Sequence, residues 1–337
     1  MAKIIDLVTN KGQVDTTAGI VEEALASVPE IKFFDAGTVS GITLQTLSRV
    51  SNPTAAFRQI GDPVSASRSQ FELRTATLKC LSARVEIAEA EIMANGVMTK
   101  DEQCVDEGVA TLEGAFQHLA KQIWYGKNAD GKGFSGAVEI VDAANVTLAG
   151  TGETDKNTSV FFVGNGFKTK MGLVFSENSK ILGSEDIEFR KGDILIKDDN
   201  GAVVGAEPGY IGDLTSYAAL HLANKKSLAR LANITDATGL DDGMLRDCIV
   251  AYRQVNGGKN PDAIFMSYGA LSKLRAARTV VLQLANNATA NIEAPIPTEI
   301  DGIKIYASTA ISDTEATVAT GSTGDDDTTG DGEVTGS

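Results

Sequence analysis

Two histidines, three cysteines and a single tryptophan in 337 residues leave little material for catalytic or metal chemistry. His118 and His221 each stand alone beside apolar positions and read as structural residues, not bases or ligands. Cys80, Cys104 and Cys248 are odd in number, widely spaced and without nearby histidines. That excludes a disulfide framework and a zinc site, and the three read as small buried hydrophobes. GxSxG, HExxH and CxxC are absent. The glycine-rich GKG at 131–133 has no Ser or Thr after its lysine, and GTGETD at 150–155 ends on Asp where a dinucleotide fingerprint needs Gly. No enzyme activity, cofactor or metal is therefore expected. No apolar run is long enough to cross a bilayer, and MAKIIDLVTN lacks the basic, apolar, small-residue order of a signal peptide, so a cytoplasmic protein is expected. Positive charge is also scarce. Thirty Lys and Arg against 45 Asp and Glu give a net charge of -15, which argues against gripping a phosphate backbone with or without sequence specificity. It suits a wall that encloses nucleic acid without sticking to it.

What is present begins with one long helix over 99–126. Val105, Val109, Leu112, Phe116, Leu119 and Ile123 alternate four- and three-residue steps into one apolar stripe, which Trp124 widens. Thr99 with Glu102 fits a capping box and Gly126 a C-cap. Gly108 and Gly114 are dissonant inside it and are candidates for close packing or bending. Before it, residues 15–30 carry an amphipathic pattern, Ile20, Val21, Ala24 and Leu25, which Pro29 is expected to stop. Then 43–95 turns to period two and reads as an extended hairpin of two long strands with too few large apolar residues for its own core. Arg58, Arg68, Arg74, Lys79 and Arg84 make this arm basic on an acidic protein, a complement to the surface of a neighbouring copy.

After the helix, 158–234 is β-rich, with DNG at 199–201 as a hairpin turn. Asp241 and Asp242 read as a helix N-terminus, PDAIFMSYGALSKL as a buried strand followed at once by a helix, and DGIKIYASTAI as a returning strand. Beyond Ser312 the chain is Gly, Asp and Thr and reads as a solvated tail. Its Asp325, Asp327, Thr329 and Asp331 imitate the start of a calcium loop, but Gly336 stands where the bidentate Glu belongs.

This order of elements makes an α+β chain that resembles the major capsid proteins of tailed double-stranded DNA bacteriophages. The resemblance is carried by Pro29, Phe33 and Phe34, by Asn52, Pro53, Phe57 and Arg58, and by WYGKNADGKGFSG, TSVFFV (158–163), LARLANI (228–234), DAIFMSYGALSKL (262–274) and GIKIYASTAI (302–311). It implies an N-arm (1–42), an E-loop (43–95), a P-domain with its spine helix (96–157) and a β-rich region of the P- and A-domains (158–235). An A-domain (236–293), a returning P-domain strand (294–315) and an acidic tail (316–337) complete the division. It further implies self-assembly into pentamers and hexamers of an icosahedral head around packaged DNA, located in the virion and assembled in the host cytoplasm. A portal and a decoration protein are implied partners. A separate scaffolding protein is expected because the chain reaches the arm without a long helical extension. The alternative on the same fold is an encapsulin-type shell around protein cargo.

Overall fold

In a computed structural model, residues 28–319 are described, apart from 61, 65, 95, 97, 180–188, 199 and 287–293. The amphipathic pattern before Val28 and the calcium-like tail motif lie outside them. Val28 caps a short helix, α1 (Pro29–Phe33), with Pro29 in its first turn. Proline is tolerated there because the N–H it lacks has no acceptor within the helix. Pro29 thus opens a helix; the pattern it was expected to stop lies outside the described residues.

Strand β1 (Ala36–Val39) follows, and then an antiparallel hairpin of β2 (Thr43–Ser51) and β3 (Gln70–Thr77), in register from Thr43↔Thr77 to Ser51↔Gln70. The hairpin ends there. Strand β4 (Lys79–Ala88) pairs instead with the distant β9 (Val203–Leu222), from Lys79↔Ala218 to Ala88↔Gly209. The expected two-strand arm over 43–95 is corrected to 43–77, and Glu89–Ala94 forms a short helix, α2. Leu78 marks the crossing. Its N–H donates to the Ile42 carbonyl at 2.8 Å, and its side chain is buried with Leu44, Ala76, Val174 and Ala219. The period-two pattern runs unbroken through a change of sheet because both sheets demand the same alternation.

The long helix α3 (Lys100–Tyr125) forms with its capping box complete: the Thr99 hydroxyl accepts from the Glu102 N–H, and the Glu102 carboxylate accepts from the Thr99 N–H at 2.8 Å. Those bonds hold the Glu102 carboxyl below its ordinary range. Gly126, at φ 55°, closes the helix. Phe116, Leu119, Ile123 and Trp124 are buried, Val109 and Leu112 are half-buried, and Val105 is 57% exposed. The stripe therefore serves as core only toward the C-terminal end. In the N-terminal half Gln103 and Cys104 face inward instead, because only one side of the helix meets protein there. Gly114 is exposed and a Cβ on it would meet nothing within 4 Å, so it is not a close-packing site.

Beyond α3 come the short α4 (Ala137–Ile140), β5 (Val146–Leu148), β6 (Thr158–Val163), β7 (Met171–Ser176) and β8 (Phe189–Lys197). After β9 follow β10 (Leu228–Ile234), α5 (Asp242–Val255), β11 (Ala263–Ser267), α6 (Tyr268–Asn286), β12 (Glu299–Ile300) and β13 (Ile303–Ser308). Asp241 caps α5 by accepting from the Met244 N–H at 2.8 Å.

One sheet has the order β12-β13-β11-β6-β10-β5; the other runs β1-β7-β9-β4, with β8 also on β9. Strand β6 is buried at every residue because both faces of its sheet are covered. Phe161 and Val163 face α3 in one core, while Val160 and Phe162 join Leu245, Ile249 and Leu274 of α5 and α6 in another. At the centre of the first, Trp124 stacks on Phe161 with centroids 4.6 Å apart and lies 5.2 Å from Phe265, which also meets Phe33 and Phe34 of the α1 segment. The Trp124 indole donates to the buried Glu30 carboxylate at 2.9 Å, and burial raises the pKa of that carboxyl. No helix among the described residues is long and apolar enough to cross a membrane.

Candidate assembly interface

The β2–β3 hairpin has a fixed inner face and a bare outer one. On the inner side Leu44 and Ala76 are buried, and the Thr46 hydroxyl lies 2.7 Å from His221 Nε2 of β9. Arg74 pairs with Glu72 at 3.1 Å, and Glu72 lies 3.6 Å from Lys225. Burial, and then the nearby Arg74 charge, push the His221 pKa down. On the outer side Leu47 opposes Leu73 and Arg49 opposes Phe71, its guanidinium 5.4 Å from the ring centroid. Leu47, Phe71 and Leu73 are all more than half exposed, and at the tip Phe57 and Ile60 are as exposed as in an open chain, at 110% and 107%. An apolar face of this kind on a projecting arm marks a contact surface.

The five basic residues named from the sequence separate into two places. Arg58 and Arg68 sit exposed in the tip, Arg58 donating to the Asp62 carbonyl. Arg74 is half-buried at the root. Lys79 and Arg84 belong to β4 in the body sheet, where Arg84 holds Asp213 at 2.7 Å and Arg190 shares that carboxylate. Arg49, on the outer face of the arm, was missed because it precedes the basic run.

A second feature was not read from the sequence. The segment after β13 is strapped across the end of α3. Glu315 accepts from Arg230 at 2.8 Å, from the Tyr125 hydroxyl at 2.6 Å and from the Ser159 hydroxyl, and the Arg230 and Glu315 side chains are only 6% and 4% exposed. Burial, followed by the Glu315 charge, raises the Tyr125 phenol well above its ordinary value. The Ser312 N–H donates to the Tyr125 hydroxyl at 2.7 Å, and the Val318 N–H to Asn233 Oδ1 at 2.9 Å. The stretch from 313 to 319, expected to be a solvated tail, is thus anchored by groups far away in sequence.

Of the cysteines, Cys104 and Cys248 are buried, and burial pushes the Cys248 thiol up to about 11. Cys80 is exposed, contrary to expectation, because its position on β4 points away from the core. His118 lies 3.4 Å from Asp130 on a half-exposed surface. No group of three potential metal-ligating side chains occurs among the described residues.

A two-sheet body with a long helix along it and an arm that leaves its outer apolar face exposed has the form of a subunit that associates with others. The chain belongs to the family of the major capsid protein GP7, whose model matches residues 10–319; it is a major capsid protein of a tailed phage, a component of the virion shell. Among solved structures it is similar to a chain of bacteriophage Epsilon15 at 17% identity and a TM-score of 0.60, covering 85% of this chain and 88% of that one. That likeness establishes the tailed-phage capsid fold. The bacteriophage JBD30 capsid matches at 11% identity and a TM-score of 0.47, over 85% of this chain and 92% of that one. The encapsulin SrpI of Synechococcus elongatus matches at 8% identity and a TM-score of 0.41, over 61% of this chain and 87% of that one. No curated protein sequence matches the chain.

Proposed function

We propose that copies of this chain close into pentamers and hexamers of an icosahedral head that encloses double-stranded DNA, assembling in the host cytoplasm. Scaffolding, portal and decoration proteins are its proposed partners. The observation that supports this reading is the bare outer face of the β2–β3 arm. Phe57 and Ile60 have no burial within the subunit and Leu47, Phe71 and Leu73 are more than half exposed, so a neighbouring copy is the surface that removes them from water. The basic tip residues Arg58 and Arg68 are the assembly contacts with most charge to offer, since Arg74 and Arg84 already have carboxylate partners at home and Lys79 lies off the arm. They face an acidic partner, a second copy of a chain with net charge -15. No covalent or enzymatic step is part of the proposal.

The test is electron microscopy and size-exclusion chromatography of the chain expressed alone and with its cognate scaffold. Closed particles are expected from the wild type, and isolated capsomers or monomers from Phe57→Asp with Leu73→Asp. Arg58→Glu with Arg68→Glu should weaken assembly most at low ionic strength. Normal particles from both double variants would remove the arm from the assembly surface.

A further inference from the structure

In the first turn of α1 a carboxylate is buried with one oxygen unused. Glu30 is fully buried; its Oε1 accepts from the Trp124 indole at 2.9 Å, while its Oε2 has no hydrogen-bond partner. A buried acceptor left bare carries its full desolvation cost. Burial accordingly raises the Glu30 pKa, against the hydroxyl of Ser308 and the indole of Trp124, which pull it down. Glu30 also lines a cavity of about 170 Å³ between α1, α3 and the end of β13. Burial orders its lining from bottom to top. Glu30 and Ser308 are buried and form the floor, and Val28, Ala120 and Ala310 are buried and make small apolar walls. Gln117, Lys121 and Thr309 are exposed and stand at the mouth. The Ser308 hydroxyl accepts from the Ala310 N–H at 3.0 Å and keeps a second lone pair for a donor. The cavity is thus negative at its floor and positive at its mouth, and with Oε2 bare the two charges are not paired with each other.

We propose that this cavity binds a small zwitterion, a primary ammonium and a carboxylate joined by one or two carbons. Its ammonium sits on Glu30 Oε2 and the Ser308 hydroxyl, and its carboxylate turns toward Lys121 at the mouth. Charge selects both ends. A cation alone would satisfy the floor but meet Lys121, of like sign, on entry; an anion alone would satisfy the mouth and leave Oε2 bare. Size limits what lies between them. The cavity of about 170 Å³ has room for about five or six waters at ~30 Å³ each, and so for a ligand of about as many non-hydrogen atoms. The side chains of Val28, Ala120 and Ala310 add no polar group, so the carbon between the two charged ends meets carbon. The cavity uses no residue of the β2–β3 arm, and its failure would leave the assembly reading untouched.

Glycine is the probe, and Trp124, the only tryptophan in the chain, is the reporter, because Glu30 holds its indole. Titrating glycine into unassembled full-length subunits should give a saturable change in tryptophan fluorescence and a saturable heat by calorimetry, in the millimolar range expected of so small a ligand. Ethylamine, which carries the ammonium alone, and acetate, which carries the carboxylate alone, should each bind at least about 10-fold more weakly. Glu30→Gln, which keeps an acceptor for the indole, and Lys121→Met, at the exposed mouth, should each weaken glycine binding by about 10-fold or more. Three results would overturn the proposal: no saturable response to glycine in the wild type, ethylamine or acetate binding as tightly as glycine, or an undiminished glycine response in Glu30→Gln. Where Glu30→Gln does not fold, Lys121→Met carries the test, and undiminished glycine affinity there overturns it equally.

Discussion

Removing the carboxylate at Glu315 should destabilise the subunit more than removing both partners of its ion pair. In the folded chain Arg230 and Glu315 lie 2.8 Å apart with side chains 6% and 4% exposed. Glu315→Leu leaves a guanidinium buried without its counter-charge, a situation that costs about 3–5 kcal/mol. Unfolding entropy of about 2.1 cal/mol/K per residue over 337 residues gives roughly 0.7 kcal/mol per degree, so Tm should fall by about 6 °C. In Arg230→Met with Glu315→Leu no charge remains to be desolvated. What is lost is the acceptor of the Tyr125 and Ser159 hydroxyls, a loss of about 1–2 kcal/mol, or about 2–3 °C. Differential scanning calorimetry of unassembled subunits measures both. Hydrogen exchange at Ser312, Glu315 and Val318, whose N–H groups bond across the strap, shows whether the strap is what loosens. A double variant as unstable as the single one would refute the reasoning, because the penalty would then not come from an orphaned charge.

Three further outcomes can be checked on the same material. His221 has a folded pKa below its ordinary 6.5, so below pH 6.5 the unfolded chain binds a proton that the folded chain does not. Its contribution to stability is present above 6.5 and is lost as pH falls toward the depressed value; amides of β2 and β3 should exchange faster at pH 5 than intrinsic rates explain, and His221→Gln should abolish that excess. Gly114→Ala, exposed and with open space around the new methyl, should stabilise α3 by about 1 kcal/mol and raise Tm by about 1–2 °C; no change or a loss would return Gly114 to a packing role. Trp124→Ala should lose about 3–5 kcal/mol by opening a void against Phe161 and Phe265 and removing the indole donor to Glu30, measured as a fall in the urea midpoint.

The ends of α3 were legible because a capping box and a C-terminal glycine act within four residues of where they stand. The burial of β6 was legible because six apolar or small residues between turns need cover on both faces. The end of the arm at Thr77 was not, since alternation is identical on either side of Leu78 and only the pairing partner of β4 changes. Val105 follows the periodicity of Phe116 and Leu119 yet is exposed, because periodicity assigns a face to a helix and not the length over which that face is covered. The strap escaped notice for a related reason: Glu315 sits among Thr and Ala and looks solvated until Arg230, 85 residues earlier, is placed against it.

By itself the sequence determined the local decisions and their order: where the long helix starts and stops, which strands are apolar enough to be central, and the succession of elements that carries the likeness to tailed-phage capsid proteins. These depend on short-range hydrogen bonding, backbone preference and hydrophobic pattern, all of which are written in neighbouring residues. Tertiary structure alone decided which apolar faces are covered and which charges are partnered. It buried Glu315 and His221, left Phe57, Leu73 and Val105 in water, and shortened the arm to 43–77. Burial and charge pairing depend on what the rest of the chain brings within a few ångströms, a long-range property that a local pattern does not contain.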